Sequence, residues 1–416
     1  MLMYGTLIWL LVIGFLAWFD ENRRLQYLVM ALPTYLIRLK ILGIPTTWLE
    51  LAIYVVFIVW LVKTAQRHQL HQWWQPLQPY ALPLALLLIG LIIGLIVSSD
   101  KQLSLGIVKG WFVDPVLIFI LIVQTSDEFN NIVFGLWVSG LVLALAALWQ
   151  VLTGHFITPD QRASAWFGSA NYLSLYLVPI MVLVLGWWRD IKKGYPQWII
   201  SLGWLIMLLA LYFTFSYAGW LALLLGVLVF WWLTFPSVKI LLIGLVGVLV
   251  AGLSQWHSPK LQHLWDLAGR SSSHVRLQVW QTAGLMIKEN WLAGIGLGLF
   301  EKRYLAFANR LFHPPLELVI LHAHNIFLQF WLNTGILGLG GFVWLLIVWF
   351  RQVWVGVKAK DFRAVAVFAA MVALLTHGMV DVAYWKNDLS ALFWIIMALG
   401  VILVKPHGRK NLPDWH

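Results

Sequence analysis

The residues best suited to chemistry lie between positions 270 and 325, the one long polar stretch in an otherwise apolar chain. Arg270 and Arg276 flank a serine-rich sequence that is typical of a helix start, and the stretch ends in His322-Ala323-His324-Asn325. A flexible turn between these two parts contains Gly294, Gly296 and Gly298. Its backbone N–H groups could face an anion. Cations, backbone donors and a histidine pair next to apolar segments suggest a site for a phosphorylated lipid.

The composition predicts that a membrane surrounds these residues. Of the 416 residues, 61% are hydrophobic and 11% are charged, which is typical of a multi-span membrane protein. The net charge of +11 comes from basic residues in the loops between apolar segments. Orientation in an anionic membrane explains this charge better than nucleic-acid binding does. Because the sequence contains no cysteine, disulfides, thiolate nucleophiles and zinc–thiolate sites are excluded.

Thirteen apolar segments are long enough to cross about 30 Å of hydrocarbon. They cover residues 2–19, 25–43, 46–62, 80–97, 105–124, 129–151, 170–188, 197–215, 218–235, 238–255, 324–350, 361–381 and 389–404. The second contains Arg38 and Lys40 near its end, so a re-entrant segment is the alternative there. The prediction is an all-α polytopic membrane protein with 12–13 transmembrane helices and one external helical subdomain.

The long polar stretch also divides the chain into three parts. We predict an N-terminal transmembrane bundle at 1–255, a periplasmic or extracellular loop subdomain at 256–323, and C-terminal transmembrane helices with a cytoplasmic tail at 324–416. One set of short loops holds fifteen Lys and Arg residues, whereas the opposite set holds five, namely Arg38, Lys40, Lys101, Arg162 and Lys386. The positive-inside rule assigns the first set to the cytoplasm, so the 256–323 subdomain is expected outside.

With this orientation, polar residues that are unusual in an apolar chain share the outer ends of the spans. They are Arg38, Lys40, Arg162, the run from Phe167 to Asn171, Ser216, Tyr217, His322, His324, Asn325, His377, Asp381 and Asp388. Ionisable residues at the ends of spans are costly unless they are paired or used. We therefore interpret the set as one functional surface, although an outer loop of any membrane protein contains some polar residues.

Four short motifs follow one another between about residues 160 and 400. The first is the sequence RASAWFGSANY at residues 162–172. The second joins Arg270, Arg276 and Trp280 to the sequence NWLAGIGLG at residues 290–298. The third is His324-Asn325 followed by Leu328, Gly335 and Gly338, and the fourth runs from His377 to Asp381.

In this order the motifs resemble the O-antigen ligase and O-antigen polymerase family and the related bacterial O-oligosaccharyltransferases. The first motif is similar to Arg-x-x-Gly-x-Phe-x-x-Pro-Asn, with Ala165 and Ala170 in place of Gly and Pro. The second is similar to Arg-x-x-x-Trp followed by Pro-Leu-x-Gly-x-Gly, with Trp291 in place of Pro. Where the family often has Ser-Arg-Gly, this chain has Ser216-Tyr217-Ala218-Gly219, so one cationic phosphate contact is missing.

The resemblance implies a multi-pass membrane glycosyltransferase of the GT-C type, with no metal and no nucleotide cofactor. Its members take a glycan from an undecaprenyl-diphosphate carrier on the periplasmic or extracellular face of the bacterial cytoplasmic membrane. They pass it to another lipid-linked glycan, to lipid A core or to a protein hydroxyl. In that scheme Arg270, Arg276, Arg162 and Arg38 hold the diphosphate, and His324 is the base or an orienting group. Fixed cations stabilise a leaving diphosphate and a neutral histidine can deprotonate a hydroxyl, so the residue types agree.

Each local feature also has a plainer alternative. Gly294, Gly296 and Gly298 could serve close packing and not an anion. His322 and His324, with His313 nearby, could ligate zinc, but no third ligand follows at a suitable spacing, so no metal is expected. Arg270 and Arg276 could form surface ion pairs with Asp266 and Glu289.

Other classes of membrane protein are the alternatives for function. A transporter or channel would place charges near the middle of the membrane, often in inverted repeats. No repeat is visible, and the deeper charges Lys109 and Asp114 are expected to neutralise each other. A scaffold that only binds a carrier lipid also stays open, because the catalytic signal is a single histidine. Acceptor-dependent glycan transfer by the purified protein would separate the enzyme from both alternatives.

Overall fold

The computed structural model describes residues 2–41, 43–67, 75–124, 129–190, 196–237, 244, 247, 253 and 271–404. The apolar helices of this part are α1 (Leu2–Phe19), α3 (Trp48–Gln66), α4 (Ala81–Val97), α5 and α6 (Lys101–Val108 and Asp114–Gln124, joined by a π-helical turn at Lys109–Val113), α7 (Phe129–Thr153), α8 (Ala170–Asp190), α9 (Gln197–Phe213), α10 (Tyr217–Thr234), α13 (Ile326–Lys358), α14 (Phe362–Gly378) and α15 (Asn387–Val404). Among the described residues, eight helices are long and apolar enough to cross a membrane, and three shorter apolar helices accompany them. The predicted class, an all-α polytopic membrane protein, is confirmed.

Eleven of the thirteen predicted segments correspond to these helices. The prediction of one span over residues 25–43 is wrong as a continuous helix. Helix α2 ends at Met30 (Arg24–Met30), and a 3-10 turn (Leu32–Leu36) carries Pro33, whose missing N–H and ring oppose a continued α-helix. A hairpin of β1 (Arg38–Ile41) and β2 (Ile44–Thr47) follows. The segment 238–255 lies almost wholly outside the described residues.

Helices α8 and α15 form the centre of the bundle, because 83% of the residues in the most apolar part of each helix are buried. Helix α8 packs against α14 and α10, and α15 packs against α6 and α13. Both central helices begin at the end of the bundle that carries the predicted functional residues. We call this the histidine end, defined by His322 and His324.

Helices α4 and α13 approach closely because their contact is made of glycine. A Cβ atom at Gly90 would lie 2.4 Å from the Cα atom of Gly338, and one at Gly94 would lie 2.1 Å from the carbonyl oxygen of Asn333. Helix α13 is interrupted at Gly335, which has a φ of 67° and where an added Cβ atom would lie 2.1 Å from the carbonyl oxygen of Leu292. Only glycine adopts this conformation at little cost, so the break is encoded locally.

A small helical subdomain covers this contact. It contains α11 (Ser272–Glu289) and α12 (Phe300–Ala308), and Ser271 caps α11 by accepting a hydrogen bond from the His274 N–H at 3.2 Å. Its own apolar core includes Met286, Phe300 and Tyr304, together with Leu332 of α13. The predicted subdomain therefore has a helical core over its described part, while residues 256–270 lie outside that part.

The deeper charges are paired, but not as expected. Lys109 lies 2.7 Å from a carboxylate oxygen of Glu50 and also donates to the carbonyl oxygen of Pro45 in the hairpin. Asp114 instead accepts a hydrogen bond from the Tyr54 hydroxyl at 2.7 Å. The prediction that Lys109 and Asp114 neutralise each other is wrong, because Glu50, in the first turn of α3, lies nearer to the lysine.

Candidate active site

Two histidines and a carboxylate meet at the histidine end. The Nδ1 atom of His324 lies 3.5 Å from Oδ1 of Asp381, and the His322 and His324 rings are 4.6 Å apart between centroids. One ligand-type atom from each of His322, His324 and Asp381 lies within 4.8 Å of the others. The Asp381 carboxylate is buried, whereas the His324 side chain stays 23% exposed. We call these three residues the His–Asp cluster.

The start of α13 fixes the position of His324. Asn325 caps this helix, because its side-chain oxygen accepts hydrogen bonds from the N–H groups of Phe327 and Leu328. The amide of Asn325 also donates to the carbonyl oxygen of Met379, which ties α13 to the loop that carries Asp381. His324 itself has a φ of 47°, and its carbonyl oxygen accepts a hydrogen bond from Trp280 of α11. A non-glycine residue held in this conformation is typical of functional sites.

A chain of hydrogen bonds joins Asp381 to an arginine. The amide of Asn171 donates to Oδ2 of Asp381 at 3.0 Å and accepts from Nη2 of Arg162 at 2.9 Å. Arg162 also donates through Nε to the carbonyl oxygen of Thr214 and through Nη1 to Asp160. The two predicted residues of the first motif therefore position the carboxylate that faces His324.

Arg276 approaches the cluster from α11. Its Nε atom donates to the carbonyl oxygen of Val380 at 2.9 Å, one residue before Asp381. The alternative pairing with Glu289 is wrong, because Glu289 forms an ion pair with Arg310 at 2.5 Å. The charge of Arg276 is close enough to Arg162 to act with burial in lowering the pKa of the Arg162 guanidinium. Two like charges held near each other favour an anion between them.

Burial and neighbouring charges set the protonation states of His322 and Asp381 in the His–Asp cluster. Burial lowers the pKa of the His322 imidazole to about 4, so this ring is neutral near pH 7. Burial opposes ionisation of Asp381, but His324, His322 and His377 outweigh it and hold the pKa of this carboxyl well below its usual range. The cluster therefore combines a neutral imidazole at His322 with an ionised carboxylate.

Three more predicted residues lie around this cluster. His377 is buried on α14, one turn before Asp381, and neither of its ring nitrogens has a hydrogen-bond partner among the described residues. Tyr217 begins α10, directly after the loop whose Thr214 binds Arg162. Arg38 is exposed on β1; burial lowers the pKa of Lys386, and the charge of Arg38 is a smaller cause in the same direction. Arg270 lies outside the described residues, so its position at the site stays a prediction.

The glycine turn has a structural task. Gly294 and Gly296 have φ values of 70° and 97°. An added Cβ atom would lie 2.4 Å from the carbonyl oxygen of Leu332 at Gly294 and 2.8 Å from the Cα atom of Ser98 at Gly296. The N–H of Gly298 donates to the side chain of Asn333, and the N–H groups of Ile295 and Leu297 donate to backbone oxygens of α13 and α4. These donors are already used, so the packing alternative describes the turn better than an anion-binding loop.

Two neighbours of the histidines were not predicted. The Tyr172 hydroxyl lies 3.0 Å from Nε2 of His322, and the Lys386 ammonium lies 3.8 Å from the centre of the Tyr172 ring. Tyr172 directly follows Asn171 in the first motif, and that adjacency was the available signal. In the sequence Lys386 is one of five basic residues in the outer loops, and no local pattern indicates its contact with Tyr172 of α8.

The fold and the site define a class of protein: a polytopic membrane protein with a His–Asp cluster and two arginines at one end of its helix bundle. A family model described as O-antigen ligase matches residues 202–343, which include Arg276 and His324 but not Arg162 or Asp381. A Rickettsia conorii protein named 'putative polysaccharide ligase' is 27% identical to this chain over 147 residues. This match covers 34% of the chain and 34% of that relative. The resemblance expected from the four motifs is confirmed over this part: residues 202–343 are similar to the O-antigen ligase family.

Proposed function

We propose that this protein is a membrane glycosyltransferase that moves a glycan from an undecaprenyl-diphosphate carrier to a hydroxyl of an acceptor, as a polysaccharide ligase or polymerase. The observation that carries the proposal is the placement of His324 beside the ionised Asp381, with Arg162 and Arg276 next to them. The relationship to the O-antigen ligase family supports the same class of reaction.

The donor side of the reaction needs its leaving group stabilised. As the bond from the sugar C1 to the phosphate oxygen breaks, its electron pair goes to the diphosphate, whose charge rises at that oxygen. Fixed cations that are already oriented stabilise this charge at little reorganisation cost. Arg276 and Arg162 supply two of them, and Arg270 and Arg38 are further candidates.

The acceptor side needs a proton acceptor. The acceptor oxygen forms the new bond to C1 and loses its proton, which His324 takes in this scheme. The Asp381 carboxylate beside Nδ1 stabilises the cation that forms and favours the tautomer with Nε2 free. No step in this scheme uses a metal ion or a nucleotide. The same site could serve a protein hydroxyl as acceptor, which is the oligosaccharyltransferase alternative.

The test is transfer by the purified protein from a polyprenyl-diphosphate-linked glycan to a supplied acceptor, measured over pH. We expect activity to fall on the acidic side as the base becomes protonated, and we expect His324→Gln to lose both activity and that acidic limb. Substantial transfer by His324→Gln would limit the side chain to a hydrogen-bonding role. Solute flux into proteoliposomes without any transfer would favour the transporter alternative instead.

A further inference from the structure

We propose that the His–Asp cluster is a binding site for a divalent transition-metal ion of the zinc type, and that the bound ion inhibits the enzyme. The two histidines are close in the sequence, but no third ligand follows them at a suitable spacing. The structure supplies that ligand as Asp381, which lies 57 residues after His324. Two imidazoles and one carboxylate form a donor set that Zn²⁺ favours.

Unsatisfied buried nitrogens mark the position of the ion. The Nδ1 atoms of His322 and His324 are both buried; that of His322 has no hydrogen-bond partner among the described residues, and that of His324 has only the long 3.5 Å contact with Asp381. Orphaned polar atoms of this kind call for a water or an ion. One ring nitrogen of each histidine and a carboxylate oxygen of Asp381 lie within 4.8 Å of one another.

The surroundings prepare His322 for metal binding. The Tyr172 hydroxyl contacts Nε2 of His322, which leaves Nδ1 as the ligand atom. A hydrogen bond at the far nitrogen fixes the ring orientation and the tautomer of metal-binding histidines in general. Asp381 is likewise held, by Asn171 and by the N–H of Val382.

The geometry needs only a small contraction. Tetrahedral Zn²⁺ with bonds of about 2.0–2.1 Å places its ligand atoms roughly 3.3 Å apart. The widest separation in the cluster therefore has to shorten by about 1.5 Å, which rotations of the two rings can supply. The exposed part of His324 leaves a fourth position open to water.

The donor set also selects the type of ion. Mg²⁺ and Ca²⁺ require six or more ligands that are mostly oxygen, and this cluster offers a single carboxylate. The nearby charges of Arg162 and Arg276 disfavour any cation, so only an ion with strong imidazole affinity is expected to bind.

Inhibition follows from the ring nitrogen that the ion uses. If Zn²⁺ takes the lone pair of His324 Nδ1, the neutral ring keeps its proton on Nε2. The nitrogen that would accept the proton of the acceptor hydroxyl is then already protonated. This consequence rests on the proposed function, whereas the binding of the ion does not.

The test measures Zn²⁺ binding to the full chain in detergent, purified with an affinity tag that contains no histidine. A chromophoric chelator competes for Zn²⁺, and Co²⁺ gives a visible absorption that reports tetrahedral coordination. Because the chain has no cysteine, thiolates contribute no background. The variants are His322→Gln and Asp381→Asn, and the matched control is the exposed His155→Gln at the same end of the bundle.

We expect one saturable Zn²⁺ site that weakens by roughly 100-fold or more in His322→Gln and Asp381→Asn, while His155→Gln and added Mg²⁺ have no effect. Tyr172→Phe keeps every ligand and is expected to weaken binding by about 10–100-fold. Absence of saturable binding would overturn the site. So would a Zn²⁺ affinity equal to that of the parent protein in both His322→Gln and Asp381→Asn, provided that these variants have the melting temperature of the parent. Loss of transfer on adding Zn²⁺, restored by a chelator, supports the inhibitory role. A protein that binds Zn²⁺ at the cluster but transfers no glycan retains the site and refutes the proposed function.

Discussion

Arg162 and Arg276 differ in how many of their nitrogens are already engaged. Arg162 donates from Nε, Nη1 and Nη2 to Thr214, Asp160 and Asn171. Arg276 donates only from Nε, to the carbonyl oxygen of Val380, among the contacts of the described residues. Its two terminal nitrogens can therefore bind phosphate in the bidentate manner that favours arginine. We infer that Arg276 binds the anion directly, while Arg162 positions Asn171 and Asp381 and adds its positive charge nearby.

The first prediction at this scale concerns Arg276→Lys. Lysine keeps the charge but has a single nitrogen, which cannot bind Val380 and the two phosphate oxygens together. Losing a hydrogen bond to a charged group costs about 1.5–3 kcal/mol, so we expect kcat/KM for transfer to fall by roughly 10–100-fold. Arg310→Lys is the matched control on the same subdomain, since this exposed arginine forms an ion pair with Glu289. Equal activity of both variants would show that Arg276 contributes only its positive charge and no bidentate phosphate contact.

The second prediction concerns the stability of the His322 region in acid. In the unfolded chain a histidine binds a proton near pH 6.5, whereas in the folded protein the pKa of His322 is about 4. Between these values the unfolded state binds more protons, so stability decreases as the pH falls through this window. His322→Gln cannot take up the proton. The melting temperature of the parent protein should therefore fall more between pH 7 and pH 5 than that of the variant, and parallel curves would contradict the shift.

At the scale of elements, the packing of α4 on α13 holds both the glycine turn and the helix that begins after His324. A Cβ at Gly94 would meet the carbonyl oxygen of Asn333 at 2.1 Å, whereas one at Gly106 on α5 would meet no atom within 4 Å. We expect Gly94→Ala to destabilise the protein by about 1–3 kcal/mol through overpacking. Gly106→Ala should be neutral or stabilising, because alanine favours a helix. Thermal unfolding in one detergent compares the two, and similar melting temperatures would show that α4 and α13 can separate without cost.

The same elements show what the sequence can predict. Apolar length was enough for most spans, but it failed at residues 25–43, where Pro33 and the hairpin interrupt the helix. Arg276 and Glu289 are thirteen residues apart, which places them about 220° apart around α11 at 3.6 residues per turn, so their pairing was excluded by helix geometry. The pairing of His324 with Asp381 and the contact of Tyr172 with His322 join distant segments. Such contacts depend on how the helices pack, and no local pattern encodes them.

At the scale of the whole molecule, the question is which side of the membrane the histidine end faces. Helix α13 has 33 residues, about 50 Å at 1.5 Å per residue, so it extends beyond the hydrocarbon and carries Arg351 and Lys358 at its far end. Lys360 and Arg363 follow in the next turn and in α14. A concentration of basic residues at this end favours the cytoplasm, so we predict that the His–Asp cluster faces outward.

The last prediction tests this orientation with single cysteines in a chain that has none. Ser273, exposed near the start of α11, lies at the histidine end, and Ala359, exposed after α13, lies at the opposite end. In intact or spheroplasted cells, Ser273→Cys should react with a membrane-impermeant maleimide, whereas Ala359→Cys should react only after the membrane is opened. The reverse pattern would direct Arg276 and His324 toward the cytoplasm. Because the proposed donor is a lipid diphosphate on the outer face, that result would remove its access to the cluster even if every contact within the cluster were correct.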